Sequence, residues 1–275
     1  MAILRSHLNV LAGIPTQELL EQASTLVLEP MLPFGIRVYE GPILSNKTKL
    51  APLHEHITER PNFKARGRKS FEAIFNWEKL SRPLLPLTGS ITTFIKLEAV
   101  DVELMLDSLI KTSQLLEAPF AYLDVLENYF RLRRNHHRDI YQEGKLGIDR
   151  VFGDFRGFSG IPWKTVLGPV YVDYFGVDKL RKLPPTLATE IAEDYWLLTP
   201  CKDHQDWKSD VWCEGEKEII TMLGIESFFN PQTKEVAKKA PLIPECSSLP
   251  IKIQTMSGEN SELEWVYLNG YPNPE

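Results

Sequence analysis

No stretch of this chain of 275 residues approaches the roughly 18 consecutive apolar residues of a membrane-spanning helix. Cysteine is scarce as well: Cys201, Cys213 and Cys246 are the only three. An odd number of scattered thiols builds no disulfide framework and suits a reducing compartment. The N-terminal run from Met1 to Gly13 has a leader's length, but Arg5, His7 and Asn9 interrupt its apolar residues and no long hydrophobic core follows. A cytoplasmic location is the expectation. Internal repeats and low-complexity tracts are also missing. Hydrophobic content of 43% beside 25% charged residues describes a folded globular chain, so a largely disordered one is excluded.

The motifs of common catalysis are missing too. There is no P-loop, no dinucleotide-binding fingerprint and no paired-histidine zinc motif. Gly157-Phe158-Ser159-Gly160 is one residue short of a nucleophile elbow and has no strand before it. His54-Glu55-His56, read as a strand, sets two imidazoles on one side. Cys201, His204 and Cys213 together lack a fourth zinc ligand, and His136-His137 splay apart. A non-enzymatic protein without metal or cofactor is therefore expected. An enzyme with a cleft near 152–160 stays open as an alternative.

The net charge of −6 is mild but unevenly spread. Cations gather at Arg60, Lys64, Arg66, Arg68 and Lys69, and again at Arg131, Arg133, Arg134 and Arg138. Phe63 and Phe71 flank the first group, as aromatic residues do in single-strand binders. Net acidity makes a solvated loop the better reading, nucleic acid an unlikely partner and a basic protein a suitable one, while a nucleic-acid-associated module using both clusters stays open as a further alternative.

Local patterns predict a mixed set of elements. Thr16 caps a helix over 16–25, Gly35–Glu40 reads as a strand, and Ser70 caps a helix from Phe71 to Leu80. Ile91–Leu97 is β-branched and strand-like. Asp101 then opens a helix whose Met105, Leu109 and Leu116 share an apolar stripe, and Phe120–Leu126 returns as a strand. A polar stretch with three glycines, 131–160, reads as a loop insertion. Beyond it come a strand at 163–167, a helix from Pro169 to the Gly176 cap, a second helix from Val177, a hairpin turning at Glu193-Asp194, a helix from Glu216 to Gly224, and a late strand at 264–268. Without a strict βα rhythm, the expected class is α+β, with a mixed or antiparallel sheet and helices packed on one face. Residues 1–88 form an N-terminal segment packed on a main domain, 89–275.

One stretch stands out for binding. Asp203, Asp206 and Asp210 surround Trp207 and Trp212. Indoles among carboxylates have the make-up of a protein-binding hot spot, with the acids steering a basic partner. The competing reading sets both tryptophans at the edge of the core and leaves the acids to solvate a loop.

The segment Trp163-Lys164-Thr165-Val166-Leu167-Gly168-Pro169-Val170-Tyr171-Val172-Asp173-Tyr174-Phe175-Gly176, followed by Leu183-Pro184, resembles a signature of bacterial toxin-immunity proteins of the polymorphic and type VI kinds. So does the helix from Glu216 that ends in Leu223-Gly224 and runs on to Phe228-Phe229. The resemblance spans roughly 90–241 and rests on turn glycines, a helix-opening proline and buried aromatics. It implies a cytoplasmic α+β protein that binds and neutralises a cognate toxin without turnover.

Overall fold

The computed structural model describes residues 3–10, 15–45, 50–67, 71–77, 89–96, 101–126, 128, 158, 160–204, 206, 209–228, 250–254 and 263–267. Ten strands form one antiparallel sheet: β1 (Ile3–Val10), β2 (Ile36–Val38), β3 (Ile43–Leu44), β4 (Phe63–Gly67), β5 (Phe71–Trp77), β6 (Gly89–Lys96), β7 (Phe120–Val125), β8 (Lys164–Leu167), β9 (Ala188–Ala192) and β10 (Tyr195–Leu198). Their order is β3-β2-β4-β5-β6-β1-β7-β8-β10-β9. The N-terminal strand thus lies mid-sheet, pairing Leu4 with Ile95 on one side and Val125 on the other. It separates the two strands of the expected strand–helix–strand unit, β6 and β7. A separate hairpin joins β11 (Pro250–Gln254) to β12 (Leu263–Tyr267).

Six α-helices accompany the sheet among the described residues: α1 (Gln17–Leu28), α2 (Ala51–Glu59), α3 (Val102–Leu115), α4 (Pro169–Phe175), α5 (Val177–Lys182) and α6 (Asp210–Leu223). The α+β class and the antiparallel sheet are as expected. Several signals act where the sequence places them. The Thr16 hydroxyl accepts from Leu19 N–H, and Asp101 accepts from Glu103 and Leu104. Pro169 starts α4, Gly176 ends it at φ 86°, and Asp194 turns the β9–β10 hairpin at φ 59°.

Alternation along the strands divides the sheet into two faces. The first receives Leu4 and Leu8, Phe71, Ala73, Phe75 and Trp77, and Leu123 and Val125. Helices α1–α3 cover it through Leu20, Val27, Leu53, Ile57, Met105 and Leu109, all buried. Burying each leucine contributes about 1.5–3 kcal/mol. Between β1, β6 and α3 a cavity of about 10 Å³ is lined by Ser6, Thr93, Ser108 and Thr112 among others, room for one water at most. Among the described residues, helices cover the second face at one end, where Tyr171, Phe175, Leu180, Ile219 and Leu223 of α4–α6 meet Phe120, Leu167, Trp196 and Leu198. So α1–α3 lie on one face as expected, while α4–α6 take the other.

Two local expectations are corrected. Residues 71–77 are a strand, not a helix, because Phe71, Ala73, Phe75 and Trp77 bury every second position. Residues 51–59 are a helix, so His54 and His56 point apart: His54 Nδ1 lies 3.8 Å from Glu21, whereas the His56 ring meets Phe63 edge-on. The insertion at 131–160 lies outside the described residues except for Phe158 and Gly160. Phe158 is buried against Phe120, Tyr171 and Phe228, where it serves the core.

Candidate protein-docking site

The acidic, tryptophan-bearing stretch is the connection from β10 into α6, and its backbone is tied down at both ends. Thr199 N–H donates to Leu187 O at 2.9 Å, and the Trp163 indole N–H donates to Cys201 O at 3.1 Å. The chain crosses α6 so closely at Pro200 that a Cβ on Gly215 would lie 2.0 Å from the Pro200 carbonyl oxygen. Glycine is needed there for close approach. At the far end Ser209 caps α6: its hydroxyl accepts from Trp212 N–H at 3.3 Å while donating to Asp206 O at 2.6 Å.

Between these ties the side chains stack inward. Cys201 is buried, its thiol donates to Asp203 O at 2.9 Å, and burial pushes its pKa up to about 11. The His204 ring packs on Trp163 with centroids 5.1 Å apart, and its Nδ1 lies 3.4 Å from Asp203. On Trp163 the Lys164 ammonium sits 5.1 Å from the ring centroid, and burial holds that amine below its ordinary pKa. Cys213 is exposed on α6, apart from buried Cys201. Among the described residues no group of three or more histidines, cysteines or acids could hold a metal ion.

Trp212 corrects the expectation of an aromatic anchor. Its side chain has no solvent exposure and packs in the core cluster that includes Trp163, Tyr195 and Cys201. A partner cannot reach it, since α6 begins at Asp210 and turns position 212 inward. Trp207 lies outside the described residues. The acids fare differently. Asp203 and Asp210 are exposed and Asp206 is half-buried.

The helix adds residues that the sequence reading left out of the site. With α6 starting at 210 rather than 216, Asp210, Glu214 and Glu218 fall at i, i+4 and i+8 along one exposed row. Val211 beside them is 61% exposed. Lys217 is the one cation on this helix, and none of the three acids forms an ion pair among the described residues. Like charges four apart cost a helix about 0.2–0.5 kcal/mol per pair. Glu216, by contrast, turns inward, where its Oε1 accepts the Ile161 N–H at 2.9 Å. Serine at 209 followed by period-four acids is the signal in the sequence, and the polar composition of 203–215 obscures it.

The basic cluster is split by the strand period. Phe63 stacks on Phe75 inside the core, centroids 4.3 Å apart, while Lys64 and Arg66 face solvent. Its aromatics are therefore unavailable to bases. Residues 131–138 lie outside the described residues. No described helix is long and apolar enough to cross a membrane.

No family model matches the chain, and no curated protein matches it. Among solved structures, a type VI secretion system protein of Pseudomonas aeruginosa is similar in fold, with a TM-score of 0.52 and 14% sequence identity, over 80% of this chain and 73% of that one.

Proposed function

We propose that this chain is a non-catalytic, protein-binding inhibitor of a cognate bacterial toxin, associated with type VI secretion. The observation that carries the reading is the exposed row Asp210, Glu214 and Glu218 on α6, with exposed Asp203 in the loop before it. The N-terminus of α6 favours the acid Asp210 in its first turn, but helix stability does not account for Glu214 and Glu218 following it at a spacing of four. A basic partner does, because opposed potentials speed encounter and discourage wrong partners. The loop's ties to Trp163, Pro200 and Ser209 hold the acids in place before binding, which lowers the ordering cost of association. The fold likeness to a type VI secretion system protein supports the bacterial, secretion-associated setting. So does the immunity-like signature from Trp163 to Gly176. For a toxin that acts in the cytoplasm, the same role places this chain there.

The test is co-expression with each toxic product of the genes neighbouring this one, followed by gel filtration of the purified pair. Cells are expected to survive, and the two proteins to elute as one complex whose toxin is unmodified. Death of the cells with this chain in molar excess, and separate elution of the two proteins, would refute the reading.

A further inference from the structure

Cross-strand register lines up residues of the second face in rows that run from a buried middle to an exposed end. Ile43, Arg37, Arg66, Glu72, Phe94, Arg5 and Asp124 stand opposite one another in turn across seven strands, from β3 to β7. A second row runs Lys64, Ile74, Thr92, His7, Tyr122 and Thr165. Facing residues in a ladder share one side of the sheet, so both rows lie on the side that carries α4–α6.

Burial falls off along these rows. Asp124 and Arg5 are buried, with the Arg5 guanidinium 5.3 Å from the Tyr122 ring centroid and 5.8 Å from that of Phe94. Glu72, Ile74, Phe94 and Lys96 are half-buried. Arg37 and Lys64 are exposed, Arg66 keeps 71% of its side chain in solvent, and Ile43 keeps 65%. Tyr39, which donates its N–H to Lys64 O, is 70% exposed at the end of β2. This end of the sheet therefore presents Arg37, Lys64, Arg66 and Lys96 around Ile43, Ile74 and Phe94. Glu72 is the one acid in these rows here, bonded to Arg66 at 3.2 Å.

We infer that this open face is a second docking surface, occupied by an acidic region of the same toxin that the α6 row engages. The inference rests on the proposed function. Charge complementarity selects the occupant: four cations face one acid, so the matching surface is anionic. Exposed Ile43 and half-buried Ile74 favour protein, because a partner's side chains can bury them, while Tyr39 and Phe94 offer rings to protein and nucleobase alike and the oligonucleotide arm of the experiment separates the two. From β2 to β10 there are seven strand spacings of about 4.8 Å, a span of about 34 Å across the sheet between the basic end and the end that α4–α6 cover. One domain-sized partner reaches both. Two zones of opposite sign fix its orientation as one zone could not, since a toxin docked in reverse would set like charges against each other.

The experiment measures binding of the toxin identified by co-expression to the full chain by surface plasmon resonance. The triple variant Arg37→Gln/Lys64→Gln/Arg66→Gln and the single variant Ile43→Ser are compared with wild type and with Lys111→Ala on the other face as control. All four substituted side chains are exposed, so the variants should fold, and their melting curves verify it. Expected are at least a tenfold loss of affinity for the triple variant, a faster dissociation for Ile43→Ser, and no change for the control. Wild-type affinity in both variants, with association still slowed by neutralising α6, overturns the inference and leaves the proposed function standing. No toxin binding by the wild type overturns both. Binding of a fluorescein-labelled single-stranded oligonucleotide that the triple variant loses gives the face to nucleic acid and overturns the inference. Self-association of the wild type, lost in the same variant, gives it to a second copy and does likewise.

Discussion

Helices α3 and α6 invite comparison. Each has 14 residues, each starts at a side chain that accepts first-turn N–H groups, and each lays an apolar face against the core. Their outer faces part company. On α3 the acid Asp107 is answered four residues later by Lys111, with a 2.7 Å ion pair. On α6 the acid Glu214 is followed four residues later by another acid, Glu218, and at 222 stands Met222. Acid before base at this spacing stabilises a helix, and acid before acid does the opposite. One outer face carries a charge pattern that favours the helix and the other a pattern that does not, although the inner faces obey the same rule.

The inner faces set the largest expected effects. Leu109→Ala on α3 should lower stability by about 2–5 kcal/mol, and Trp212→Ala on α6 by about 3–5 kcal/mol, both read from urea midpoints. An unchanged midpoint for Trp212→Ala would return that indole to the surface and break the equivalence.

A smaller effect separates the approaches to the two helices. The loop before α6 buries Cys201, whose thiol ordinarily titrates near 9 and is pushed up to about 11 here. The raised folded pKa means that the native state keeps a proton the unfolded chain gives up. Stability from this group is therefore complete below pH 9 and is lost as pH rises from 9 through about 11. Replacing Cys201 with Ala should flatten the fall in melting temperature over that window. Equal slopes in wild type and variant would show that the thiol titrates alike in both states.

The smallest effects have opposite signs, which makes them informative. Lys111→Ala should cost α3 a few tenths of a kcal/mol, about the worth of one exposed pair. Glu218→Gln should instead raise stability by about 0.2–0.5 kcal/mol, since it removes a repulsion. A loss of stability for Glu218→Gln would mean that the acidic row serves the fold.

Much of the fold was legible in the sequence because short-range chemistry decides it. Thr16, Asp101, Pro169, Gly176 and Asp194 each act on their own neighbours, so local reading suffices. Errors arose where two periods coincide. Phe71, Ile74 and Phe75 satisfy helical spacing as well as Phe71, Phe75 and Trp77 satisfy a strand's, and only the neighbouring strands β4 and β6 decide between them. In β1 the polar Arg5 and His7 read as interruptions of an apolar run. They are the second face of a strand buried on both sides, where His7 Nδ1 meets the Thr92 hydroxyl at 2.7 Å. The candidate site was legible in part. Its acids stood out by composition, but burial of Trp212 follows from the phase of a helix whose start at Ser209 was missed. The open basic face was beyond sequence reading, since Arg37, Arg66 and Ile43 come together only through the register of three strands.

The central claim, the proposal that the outer face of α6 meets a partner, is tested most directly by the rate of association, across ionic strengths, with the toxin that co-expression identifies. Wild type should associate at least tenfold faster than Asp210→Asn/Glu214→Gln/Glu218→Gln at low salt, and the gap should close near 1 M, where the screening length is about 3 Å. Dissociation should differ little between them. Equal association rates at every ionic strength, in variants whose melting curves show them folded, would contradict the account.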